Sequence, residues 1–89
     1  MNNDKRRERL IFRSWHRGTR EMDLLLGSFA DAHLRAFTPE QLDQYESLME
    51  LPDPDLYGWI TGQATLPPEH DGEVMRLLCA HRFAGEQAV

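Results

Sequence analysis

Apolar positions along the chain recur at three- and four-residue spacing, and no run alternates β-branched with polar residues, so the pattern predicts helices and no strands. Over residues 4–16, Leu10, Ile11, Ser14 and Trp15 share one face, and Arg6, Arg9 and Arg13 share another. Arg17-Gly18 reads as a stop, because glycine tolerates positive φ just past a helix end and a basic residue in the last turn suits the helix dipole. A second helix over residues 19–35 carries Met22, Leu25, Leu26, Phe29, His33 and Ala36 as one stripe. Gly27 lies within it, where glycine forgoes about 1 kcal/mol against alanine and permits a close helix crossing.

The third helix has the clearest start. Thr38 is placed at N-cap, Pro39 at N1 and Gln41 at N3, a capping box, with Phe37 and Leu42 as its hydrophobic staple. Leu42, Tyr45, Leu48 and Met49 form its apolar face, and Pro52 ends it. A short fourth helix starts with Asp53 at N-cap and Pro54 at N1, buries Leu56, Trp59 and Ile60, and stops at Gly62. After a loop over residues 63–68, a fifth helix runs from residue 69 or 71 to residue 83, with Val74, Leu77, Leu78 and His81 on its core side.

The expected fold is therefore all-α, a compact antiparallel bundle of five helices joined by short loops. It forms a single helical domain over residues 1–89, with an ordered core over 4–83 and a frayed tail over 84–89. The expected core is Leu10, Ile11, Trp15, Leu25, Leu26, Phe29, Leu42, Tyr45, Leu48, Leu56, Trp59, Ile60, Val74, Leu77 and Leu78. Trp15 and Trp59 are its largest structural side chains.

At 89 residues, the chain has no room for a separate nucleotide-binding domain, so a small binding or adaptor module is the default. The longest apolar run is four residues, Leu77 to Ala80, far short of the about 20 that span a bilayer. No apolar signal segment follows the charged N-terminus, and the single cysteine, Cys79, points to a reducing compartment, so the expected location is cytoplasmic. The net charge of −5 is unevenly spread. Residues 1–20 carry +5, residues 21–75 carry −11 and residues 76–89 carry +1. A basic arm beside an acidic body suggests that the two pack together and neutralise each other, which disfavours nucleic-acid binding through the arm.

Catalytic and metal-binding constellations are sparse. The four histidines, at positions 16, 33, 70 and 81, include no pair spaced four apart, and one cysteine cannot make a thiolate zinc site. His33 and His81 fall on apolar faces and read as hydrogen-bonded core residues. No metal site and no catalytic residue is expected. One junction stands apart, Arg17-Gly18-Thr19-Arg20-Glu21. Its local account is complete: Arg17 caps the first helix, Gly18 makes the turn, and the Glu21 charge favours the first turn of the second helix. The same turn would also present an arginine fork and a carboxylate close together at a helix corner, where a protein partner could engage both.

Arg17-Gly18-x-x-Glu21, followed by Met22-Asp23-Leu24-Leu25-Leu26, resembles the RGxxE signature of the small succinate dehydrogenase assembly factors. Phe29, Tyr45 and Leu48 follow in order. The segment Asp53-Pro54-Asp55-Leu56-Tyr57-Gly58-Trp59 is similar to that family's second hallmark, Asp-Pro-Asp-Leu-x-x-Trp. The resemblance covers roughly residues 5–83. It departs at His16, where many bacterial relatives have arginine.

The resemblance implies a five-helix fold and a non-enzymatic chaperone that promotes covalent attachment of FAD. The implied partner is the flavoprotein subunit of succinate dehydrogenase, with that of fumarate reductase as a second candidate. In such flavoproteins a histidine of the partner attacks the 8α-methyl of the isoalloxazine. The assembly factor is expected to hold the partner's arrangement, to bind no cofactor stably itself and to be a monomer when free. Arg17, Gly18 and Glu21 become the expected partner-binding residues, with His16, Arg20 and Asp23 as additional contacts. Trp15, Thr38, Asp53, Pro54 and Trp59 are expected to be structural.

Three other functions are compatible with parts of the sequence. A nucleic-acid-binding module would use residues 5–20, against the chain's net acidity. A small enzyme would pair Glu21 with His16, but so short a chain rarely encloses a pocket of about 300 Å³. An adaptor or antitoxin-like helical module for some other partner remains open.

Overall fold

Thr38 and Gln41 close the capping box expected of them. The Gln41 amide donates to Thr38 Oγ1 at 3.2 Å, and the Thr38 amide donates to Gln41 Oε1 at 2.9 Å. This fixes the start of one of five α-helices in the structure, a computed structural model that describes residues 3–81. In chain order they are α1 (Asn3–Ser14), α2 (Arg20–His33), α3 (Pro39–Met49), α4 (Asp53–Ile60) and α5 (Glu73–Ala80). Two short 3-10 turns, Leu34–Ala36 and Pro68–His70, join them, and the described residues contain no strand. The expected extension of the fifth helix to residue 83, and the tail beyond it, lie outside the described residues.

Several expected boundaries move, each for a local reason. α1 ends at Ser14 because the Trp15 amide is shared between the Ile11 and Phe12 carbonyls, both at 3.2 Å, and the His16 amide reaches back only three residues. The stripe on α2 holds through Met22, Leu25, Leu26 and Phe29 and then changes phase. The tighter 3-10 turn brings Leu34 into the core in place of Ala36, which is exposed. α4 takes Pro52 as its N-cap, so Asp53 is its first helical residue and makes no side-chain cap. α5 starts at Glu73 because Gly72 before it is extended, with Gln44 Oε1 of α3 accepting the Val74 amide at 3.3 Å.

α1 packs on α2 and crosses α3, while α5 packs on α3 and α4. Phe29 of α2 and Tyr45 of α3 stack at the centre, 5.7 Å apart, and both are fully buried. The core also takes in Ala30, Leu34 and Met75, which patterning did not select, and Phe37 of the staple and Met49 of the α3 face, which the expected core left out. Conversely, Ile11, Trp59 and Leu77 are only partly buried against it. Trp15 is also half-buried, and its indole lies directly over Gly27. A β-carbon at Gly27 would sit 2.2 Å from Trp15 Cδ2, so glycine is what lets α1 approach α2.

The basic arm does lie on the acidic body. Arg6 pairs with Asp43 at 2.5 Å and with Glu46 at 2.8 Å. Arg13 pairs with Glu50 at 3.4 Å. Arg7 donates to the carbonyls of Leu34 and Phe37, at 3.0 and 2.7 Å. Each exposed pair contributes at most about 1 kcal/mol, so these contacts orient α1 on α3 more than they hold the fold together. No helix among the described residues is long and apolar enough to cross a membrane.

Candidate functional site

Gly18 turns the chain between α1 and α2 with φ +122°, a conformation that L side chains rarely adopt. Around it the backbone is held by short polar contacts. Asp23 Oδ1 accepts the Arg17 amide at 2.6 Å and the Gly18 amide at 3.2 Å. Thr19 Oγ1 accepts the Met22 amide at 3.3 Å as the N-cap of α2. Asp23, considered above as a partner contact, is therefore half-buried and committed to the turn.

Arg17 corrects the sequence reading. It was expected to cap α1 and to stand beside Glu21 as an open donor fork. Its side chain instead turns inward and is only 12% exposed. Nε donates to Asp53 Oδ1 at 2.9 Å, Nη2 donates to the same oxygen, Nη1 donates to the Met49 carbonyl at 2.7 Å, and Nη2 reaches the Leu51 carbonyl at 3.2 Å. Met49 is the last residue of α3, so its carbonyl has no partner within the helix. One guanidinium thus closes the C-terminus of α3, pairs with the first residue of α4 and anchors the α1–α2 corner to both. This also explains why Asp53 is not a cap: its carboxylate serves Arg17.

Glu21, one residue into α2, is exposed, and among the described residues it has no hydrogen-bond or ion-pair partner. Arg20 beside it is exposed as well. His16 is exposed, stacks on Phe12 with ring centroids 4.0 Å apart and has Nδ1 2.7 Å from the Phe12 carbonyl. Phe12 and Leu24, which sequence reasoning did not single out, are the large apolar side chains left most open among the described residues, at 63% and 39% exposed. Their signal was available: neither falls on the buried stripe of its helix. Together the corner presents an exposed carboxylate and an exposed arginine, neither with a partner among the described residues, and a small aromatic ledge, on a backbone held by hydrogen bonds.

The remaining expected residues have structural surroundings. Trp59 is half-buried, stacks on His70 at 5.2 Å, and its carbonyl lies 3.9 Å from Cys79 Sγ. His33 and His81 lean on Phe29, and His81 Nε2 lies 2.9 Å from Ser28 Oγ. No group of three or more potential metal ligands occurs among the described residues.

Comparison with known proteins places this corner in context. Residues 8–82 match the family model described as flavinator of succinate dehydrogenase. The chain is 42% identical over 78 residues to a protein of Dictyostelium discoideum named succinate dehydrogenase assembly factor 2, mitochondrial, covering 88% of this chain and 55% of that protein. It is 44% identical over 71 residues to the FAD assembly factor SdhE of Acetobacter pasteurianus, covering 80% of this chain and 65% of the relative. A succinate dehydrogenase assembly factor 2 of Candida glabrata is 52% identical over 58 residues, covering 65% of this chain and 38% of its own length. The chain thus spans about half to two thirds of the first two curated relatives. With the match to the family model running from α1 to just beyond α5, the chain belongs to the family of flavinators of succinate dehydrogenase.

Proposed function

We propose that the chain binds the flavoprotein subunit of succinate dehydrogenase through the corner between α1 and α2, and so promotes covalent attachment of FAD to that subunit without supplying a catalytic group. The flavoprotein of fumarate reductase is a second candidate partner. The observation that carries the reading is Glu21. It is exposed and unpaired among the described residues, on a turn that Gly18 permits and that Asp23, Thr19 and Arg17 hold through hydrogen bonds. A preorganised acceptor of this kind loses little freedom on binding and can hold a partner segment in one arrangement.

Holding the partner's flavin and its attacking histidine in reactive geometry can contribute several kcal/mol, which requires no reacting group from the assembly factor. Arg17 acts indirectly here, by fixing the corner, while Glu21, Arg20 and His16 make the contacts.

Co-expression with a succinate dehydrogenase flavoprotein subunit tests the reading. Fluorescence of flavin that survives denaturation reports covalent attachment, and co-purification reports binding. Greater attachment in the presence of the chain, together with co-purification, supports the reading. Equal attachment with and without the chain overturns it.

A further inference from the structure

We infer that the cleft between the first turns of α2 and α4 seats one cationic side chain, lysine or arginine, of the partner protein. The inference rests on the functional reading above and names the chemistry of one contact within it. The cleft has a volume of about 380 Å³ and is lined by Thr19, Glu21, Met22, Asp53, Pro54 and Tyr57.

Its floor and walls are apolar, made by Met22, Pro54 and the half-exposed ring of Tyr57. Its polar groups are mostly acceptors. Glu21 has both carboxylate oxygens unpartnered among the described residues. Asp53 receives Arg17 on Oδ1 alone, which leaves Oδ2 without a partner among them. Two carboxylates are thus balanced by one guanidinium, and that guanidinium is also shared with two carbonyls.

This composition selects its occupant. An anion would face Glu21 and Asp53 directly. An apolar side chain would strip water from the free carboxylate oxygens and return no hydrogen bond. A lysine or arginine lays its methylene stem along Met22 and Pro54, brings its charge near the Tyr57 ring and delivers N–H donors to the waiting oxygens. Five of the six lining residues belong to the segment 21–75, whose net charge of −11 favours the approach of such a group.

The test is the affinity of the purified chain for the succinate dehydrogenase flavoprotein subunit, measured by calorimetry at low and high salt. Circular dichroism confirms that each variant is folded. Pro54 is exposed and makes none of the Arg17 contacts, so Pro54→Lys places a competing cation at the cleft, with circular dichroism checking that the first turn of α4 survives loss of the proline. That variant is expected to bind at least about tenfold more weakly than the wild type, whereas Pro54→Glu, which loses the same ring but adds an acceptor, is expected to bind at least about threefold more tightly than Pro54→Lys at low salt. Tyr57→Leu, which keeps the apolar wall and removes the ring, is expected to weaken binding about threefold or more.

Asp31→Asn makes the same charge change at an exposed position outside the cleft and is expected to stay within about twofold. Binding by Pro54→Lys within about twofold of the wild type overturns the inference. So does equal weakening by Pro54→Lys and Pro54→Glu, which would assign the cleft an apolar occupant. Absence of binding by the wild type overturns the functional reading, and the inference with it.

Discussion

Replacing Arg17 by alanine should destabilise the fold, in contrast to a change at Glu21 four residues later. The substitution removes both donations to Asp53 and leaves the Met49 and Leu51 carbonyls without the guanidinium. Breaking a fully buried pair from one side costs about 3–5 kcal/mol, and hydrogen bonds to charged groups contribute about 1.5–3 kcal/mol. Here the side chains of Arg17 and Asp53 keep 12% and 25% of their exposure, so solvent recovers part of the loss.

A loss of about 2–4 kcal/mol is expected, which lowers Tm by about 10–25 °C in a domain of this size. Arg17→Lys keeps the charge but cannot serve Asp53 and two carbonyls at once, so it should fall about midway. Thermal and urea melts followed by circular dichroism measure both variants. An Arg17→Ala protein that melts within about 3 °C of the wild type would refute the inward clamp and restore Arg17 as an exposed contact.

Two further substitutions probe the packing that supports the corner. Gly27→Ala should force the Trp15 indole off α2. Overpacking costs about 1–3 kcal/mol, offset by up to about 1 kcal/mol of helix propensity. In a Trp59→Phe background the indole emission should shift to the red, and unchanged emission would show that the crossing can absorb a methyl group. Burial pushes the Tyr45 hydroxyl up to about 12, outweighing the opposing effects of Ser14, Arg17 and Arg13.

Above the ordinary tyrosine value of about 10, the unfolded chain therefore releases this proton while the folded chain keeps it, so Tyr45's contribution to stability is complete below pH about 10 and is lost as pH rises toward 12. Tyr45→Phe should flatten that part of the stability profile, as measured by denaturant melts across alkaline pH. An unchanged profile would contradict the assignment.

Much of this molecule is legible locally. The Thr38 box, the glycine turns at Gly18 and Gly62 and the α2 stripe as far as Phe29 depend on neighbours within a few residues, and the structure keeps them. The glycine crossing at Gly27 was also readable, although its partner Trp15 was not. Long-range contacts decide the rest. Asp53 has the residue type and position of a cap, but a guanidinium 36 positions earlier in the chain claims its carboxylate and moves the cap to Pro52. Leu34 replaces Ala36 in the core because a 3-10 turn breaks the periodicity that patterning extends.

At the candidate site, spacing gave the turn at Gly18 and the exposed start of α2 at Glu21 but could not show which way Arg17 points. The same motif that reads as two exposed groups folds into one exposed carboxylate and one clamp. Phe12 and Leu24 were legible only as residues off the stripe, and their neighbourhood became a surface only with α1 and α2 in place.

The central claim is that Glu21 acts at an interface and not in the fold. It is tested most directly by flavin attachment with Glu21→Ala. Loss of its charge from the first turn of α2 removes only about 0.3–1 kcal/mol, so the variant should keep a native spectrum and a nearly native Tm. At an interface, the group left unpaired on the partner raises the loss to about 2 kcal/mol or more. Co-expressed with the flavoprotein subunit, folded Glu21→Ala should therefore bind weakly and leave little flavin fluorescence on the denatured subunit. A folded Glu21→Ala protein that supports attachment at the wild-type level, or one that unfolds, would contradict the claim.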